Sequence, residues 1–311
     1  MLETFFAILP VFLIVSVGFV SGKTNWLPDG AGHALNQFAL RIAIPALLFR
    51  AMYQLDFAQA FAPPVLLAFY TGAFTCFAIG YAVSRLAFRD GAERAVAVGF
   101  AATFSNTVLL GLSITERVYG QAEMTVVFGI ISIHALLLYP VGMTAMEIAR
   151  PAGGESRQKR IRQGLRRIVA NPLLAGVVTG IAANLFDLQI PEPIMHPIGM
   201  LAESAIPAAL IGIGLSLSVL TIRSELSETF AVCALLLLLH PAIVWILGRY
   251  GLGLDPTQLR AATLLAAMPA GVNTYLFALL YDKGVRLSAS TVLISTCLSL
   301  FTVTGWIAFL S

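Results

Sequence analysis

The chain has 311 residues, of which 58% are hydrophobic and only 11% charged, with a formal net charge of +3. A water-soluble domain carries about 25% charged residues, and none of this size could hide so much apolar surface, so lipid is part of this protein's solvent. No basic stripe with interleaved aromatics supports nucleic-acid binding.

A helix needs about 20 residues to cross the hydrocarbon core, and ten stretches qualify, giving an all-α polytopic plan. The first, 3–22, begins with Glu3 and no basic residue and is followed by no A-x-A site, so it is expected to be a retained span. It carries Pro10 and Gly18. The second, 34–52, contains Arg41 and the run Ala43-Ile44-Pro45-Ala46-Leu47-Leu48. The third is 62–84. The fourth, 93–114, holds Ser105-Asn106-Thr107 near its middle, and the fifth, 122–147, holds His134.

A basic linker at 148–170 separates a first unit, 1–147, from a second, 171–311. The sixth span, 171–187, starts near Pro172 and carries Gly176-Val177-Val178-Thr179-Gly180, a GxxxG spacing that hints at close helix packing. The seventh, 195–219, contains Glu203 and Ala205-Ile206-Pro207-Ala208-Ala209-Leu210. The eighth, 228–248, holds His240, which like His134 is expected to be packed. The ninth, 258–281, runs through Met268-Pro269-Ala270-Gly271-Val272-Asn273-Thr274-Tyr275, and the tenth is 287–310. Cys76, Cys233 and Cys297 lie singly in apolar stretches, which predicts buried free thiols, and no His/Cys cluster predicts a metal.

Fourteen Lys and Arg residues fall in the odd-numbered connections and four in the even ones. The positive-inside rule then puts the odd connections, 148–170 among them, in the cytoplasm and both termini outside. The setting expected is an inner (plasma) membrane.

The two units echo each other. Pro10 and Pro172, Gly18 and Gly180, and Pro45 and Pro207 are each 162 residues apart, while Asn106 and Asn273 are 167 apart. Five is an odd number of spans, so a second copy enters the membrane from the opposite side. That is the inverted repeat of many secondary carriers, whose substrate binds near the midplane.

Polar groups at membrane depth are the candidate site. Pro269 cannot donate a backbone hydrogen bond and its ring clashes with the carbonyl four residues back, and Gly271 permits conformations other residues resist. A break is therefore expected there, exposing a half-helix N-terminus that favours an anion. Ser105, Asn106, Thr107, Asn273 and Thr274, with Pro269 and Gly271, would surround the substrate. The competing reading is that the amides glue helices together at about 0.6 kcal/mol per bond. Arg41, which costs about 2.5–3.5 kcal/mol at mid-membrane, could neutralise an anion, pair with a carboxylate, or snorkel. Glu203 could carry a coupling proton or lie at an interface.

At the second, fourth, seventh and ninth spans the sequence resembles the auxin efflux carrier family, bacterial branch. The most specific stretch is 268–278 with Tyr281 and Ser288-Ala289-Ser290-Thr291-Val292-Leu293-Ile294-Ser295-Thr296, followed by Phe104-Ser105-Asn106-Thr107 with Gly111 and the two Ile-Pro-Ala runs. The resemblance implies ten helices, the fourth and ninth broken and crossing at the midplane. Helices one, two, six and seven would form a scaffold along which the other six slide as an elevator. It places Asn106, Pro269 and Asn273 at the crossing and makes an organic carboxylate, such as malonate or malate, the best substrate class. Many members have Gly-x-Pro after the fourth-helix asparagine. Here Gly111-Leu112-Ser113 stands there, which predicts a milder or displaced kink.

The function expected is secondary transport of a small organic anion, without a cofactor. No GxxxxGK[ST] loop supports ATP drive. Proton coupling, sodium coupling as in the bile-acid:sodium symporter fold, and no coupling all stay open, as does a homodimer. The rivals are an intramembrane enzyme, for which neither HExxH nor paired aspartates exist in the spans, and a transporter-like sensor signalling through 148–170.

Overall fold

The computed structural model describes residues 2–28, 30–55, 62–120, 122–150, 172–219 and 225–311. Nearly all of the basic linker expected at 148–170 lies outside these residues, as does Arg223. Everything regular among the described residues is helical, and their one extended pairing is an isolated antiparallel bridge, Ser105 with Ala270.

Among the described residues, six helices are long and apolar enough to cross a membrane. They are α1 (Leu2–Lys23), α3 (Pro63–Leu86), α5 (Met124–Ala149), α7 (Glu192–Val219), α8 (Leu226–Gly251) and α10 (Val285–Leu310). Between them in the chain lie α2 (31–53), whose middle turn at Ala39–Ala43 widens to i→i+5 bonding, and the shorter α6 (Pro172–Leu185). Two further segments are interrupted. One is α4a (Ala92–Ala101) followed by α4b (107–119), the other α9a (Pro256–Ala266) followed by α9b (Val272–Tyr281). Local chemistry starts several of these. The Asp255 side chain accepts from the Gln258 N–H at 2.9 Å in a capping box, with Pro256 in the first turn of α9a.

The helices pack in two groups. In the first, α1 lies along α7 and α2 lies between α6 and α7. Glycine makes this possible. A Cβ on Gly18 or Gly214 would strike the facing backbone across the α1–α7 contact, and one on Gly176 or Gly180 would strike the backbone of α2 at Pro45 and Phe49. Small residues let backbones touch where lipid supplies no hydrophobic drive, so the GxxxG spacing at 176–180 is a packing device. In the second group α3 packs on α4a, α8 and α9a, α5 on α4a and α9a, and α10 on α8 and α9b.

Charged residues tie the second group together at helix ends. Arg94, in the first turn of α4a, bonds Glu228 of α8 at 2.7 Å and Glu225 at 3.0 Å, and also Asp90. Arg260, in the first turns of α9a, bonds Glu123 beside α5 at 2.8 Å and stacks on Tyr119. Arg150 and Lys283 share Glu93. The two groups meet where α1 touches α4b and α10, where α7 touches the start of α4b, and where α2 touches α5.

Two expectations need correction. Cys76 and Cys233 are buried, but Cys297 is exposed on α10, because an apolar residue on a helix face turned outward has lipid for a neighbour instead of protein. The fourth segment is not merely kinked or displaced for want of the proline at Ser113. It is broken outright at 102–106, and the cause lies in the partner segment.

Candidate functional site

Both interruptions occur at one place. Beyond Ala101 the fourth segment makes short turns, with Thr103 N–H and Phe104 N–H both donating to the Phe100 carbonyl, and then extends. In the ninth segment Pro269 supplies no N–H and ends the regular ladder after Ala266. The two extended stretches then complete each other. The Asn106 N–H donates to the Pro269 carbonyl at 2.7 Å, and the Gly271 N–H donates to the Phe104 carbonyl at 2.9 Å, flanking the Ser105–Ala270 bridge. Buried backbone groups require partners, and here each broken helix is the other's partner. That is why a proline is not needed in the fourth segment.

A third element holds the junction. The Ala270 N–H donates to Ser295 Oγ of α10 at 3.0 Å, in a fully buried position. Ser295 lies within the 288–296 stretch of resemblance, and nothing in its local sequence marks it as the partner of a residue 25 positions away. Replacing Ser295 by alanine strands that amide at a cost of about 1–3 kcal/mol. Thermal unfolding in detergent should fall accordingly, whereas Ser299→Ala, whose hydroxyl among the described residues bonds only the Thr296 carbonyl of its own helix, should change little.

The predicted site residues cluster here. Asn106 caps α4b, its Oδ1 accepting from the Leu109 N–H at 3.2 Å and its carbonyl accepting from the Gly111 N–H at 2.9 Å. Gly271 occupies the capping position of α9b, and Thr274 Oγ1 donates back to the Gly271 carbonyl at 2.8 Å. Asn273 is half-buried in the first turn of α9b, and its amide has no partner among the described residues. The hydroxyls of Ser105 and Thr107 are buried and likewise unpartnered among them. Two helix N-termini, those of α4b and α9b, therefore open at one junction with several polar groups unspent. No Asp or Glu occurs in 101–107 or 266–274.

An aromatic floor supports the junction. His134 of α5 is buried and meets Phe104 edge-on at 4.8 Å, and Phe100 stacks on Phe277 at 3.9 Å. His240 sits 3.2 Å from the Phe69 carbonyl through Nε2, in keeping with a packing role. From α4b, Val108, Leu109 and Leu112 face a narrow cleft whose far wall includes Ile44, Leu48, Ala205 and Ala209. The two Ala-Ile-Pro-Ala runs thus border the same gap.

The charged candidates are not brought to the junction. Arg41 is exposed on the widened turn of α2. Glu203 is 77% exposed and its partner is Arg50, at 3.7 Å.

A model of the family described as "Membrane transport protein" matches residues 4–307. The chain belongs to this family of auxin efflux carriers. It is similar to the "Putative malonate transporter" of Rhizobium meliloti (strain 1021), with 26% identity over 301 residues covering 96% of this chain and 93% of that protein. It is also similar to the "Lysosomal cholesterol signaling protein" of Mus musculus, 28% identical over 97% of this chain but only 37% of the mouse protein. The "Auxin efflux carrier component 8" of Arabidopsis thaliana is 21% identical over 96% of this chain and 95% of its own length. As an auxin efflux carrier family member with several apolar spanning helices, the protein is a multi-pass membrane transporter and not an enzyme.

Proposed function

We propose that the chain is a secondary transporter that carries a small organic anion, a mono- or dicarboxylate, across the bacterial inner membrane by alternating access, with the junction of the two broken helices as its binding site. One observation carries this: two half-helix N-termini, capped by neutral groups, converge beside unpartnered polar side chains. Each helix N-terminus is equivalent to roughly half a positive charge, and backbone amides there are a ready anion site. Asn273 and Asn106 would hold the carboxylate with Ser105, Thr107 and Thr274. Pro269 and Gly271 would keep the helix open.

The chain would cross ten times, as two inverted five-helix units, 1–147 and 171–311, joined by a cytoplasmic linker at 148–170 with both termini outside. The landmarks spaced by 162 residues support this, and so does the parity of five. The glycine-locked group α1, α2, α6 and α7 would be the stationary frame, and the group braced by Arg94 and Arg260 the moving body. The similarity to a protein named as a malonate transporter supports the carboxylate class.

The test is uptake of labelled acetate, malonate, malate and succinate into proteoliposomes, with pH and sodium gradients imposed separately. Saturable uptake of at least one is expected, and the gradient that drives it identifies the coupling ion. Correctly inserted protein that accumulates none of them under either gradient would overturn the proposal.

A further inference from the structure

A cavity of about 330 Å³ lies beside the C-terminal end of α2. The cavity lies between α2 and α7 on one side and α4b and α5 on the other. Its polar wall is formed by Arg50, Gln54, Glu116 and Glu203. Leu112 and Ile206 line it as well, and both also line the narrow cleft that reaches Val108 and Leu109, within one turn of Asn106. The vestibule and the cleft thus adjoin through shared walls.

Arg50 is the basic side chain on that wall, and it is held loosely. Its ion pair with Glu203 spans 3.7 Å, with the two side chains 42% and 77% exposed. An exposed pair of that length contributes little to stability, so its partner can be exchanged at small loss. A guanidinium presents paired donors that match a carboxylate bidentately. Glu116, across the cavity on α4b, has a contact of its own.

We propose that this vestibule is a receiving site for carboxylates, in which the solute replaces Glu203 as the partner of Arg50 before it passes to the junction. The inference deepens the transport reading and rests on it for the onward step, but the vestibule can be tested without transport. Gln54 lines the cavity and is a natural reporter position.

In the full-length chain with Cys76, Cys233 and Cys297 replaced by alanine, Gln54→Cys is labelled with an anionic sulfonate thiol reagent and with a cationic ammonium one. Arg50→Gln should lower the anionic-to-cationic rate ratio about tenfold, as expected for removing one charge at close range. Glu203→Gln should raise it. Millimolar malonate should slow labelling when Arg50 is present and have no effect in Arg50→Gln. An unchanged rate ratio in Arg50→Gln would overturn the proposal, and so would malonate protection that is equal in the two proteins or absent from both. If no carboxylate is transported yet Arg50-dependent protection persists, the transport reading falls and the receiving site stands.

Discussion

Asn273→Ala should lower carboxylate uptake by about ten- to a hundredfold, the effect of removing a hydrogen bond to a charged group worth about 1.5–3 kcal/mol. Asn106→Ala should do the same. The two variants differ in a second readout. The Asn106 side chain accepts from the Leu109 N–H and caps α4b, so its loss also destabilises the fold by about 1 kcal/mol. The Asn273 amide has no partner among the described residues, so Asn273→Ala should leave thermal unfolding unchanged while uptake collapses. Initial rates per inserted molecule, measured beside melting curves, separate binding from folding. Normal uptake in both variants would remove the junction as the binding site.

Arg94→Ala should be the most destabilising single change in the braced group, below the about 3–5 kcal/mol of a fully buried pair broken from one side, because Arg94 itself is partly exposed while Glu228 is buried. Arg94 is the common partner of Asp90, Glu225 and Glu228, and the Glu228 side chain is just 3% exposed. Without the guanidinium, the buried Glu228 carboxylate is left uncompensated beside Asp90 and the partly exposed Glu225. Arg94→Lys should recover only part of the loss, since an ammonium lacks the planar fork that serves several partners at once. Glu228→Gln added to Arg94→Ala should recover some stability by removing a stranded charge. Melting temperatures in detergent measure all three, and an unaltered value for Arg94→Ala would contradict the bracing role.

Much of this molecule can be read in the sequence, and the parts that cannot share a cause. The long spans are visible because the apolar run itself is the signal. The break at 267–271 is visible because Pro269 and Gly271 change the backbone's options locally. The break at 102–106 has no such local mark. It follows from hydrogen bonds to residues about 165 positions away, made by main-chain groups that every sequence carries. For the same reason no local mark singles out Ser295. Arg41 drew attention because it lies deep within a span, but depth does not say which face a helix turns, and Arg41 turns outward. Arg50, near the end of the same helix, looks like an ordinary terminal charge until the cavity beside it is seen.

Residues 104–106 and 269–271 satisfy one another's backbone, and this bears on how the protein is made. When the first five segments have entered the bilayer, the Phe104 carbonyl and the Asn106 amide still await partners that have not been synthesised. Bare peptide groups in hydrocarbon are unfavourable by several kcal/mol each, so the nascent chain must keep that stretch shielded or wet until α9a and α9b arrive. The cradle comes into being only late in biogenesis, and neither 1–147 nor 171–311 expressed alone would possess it.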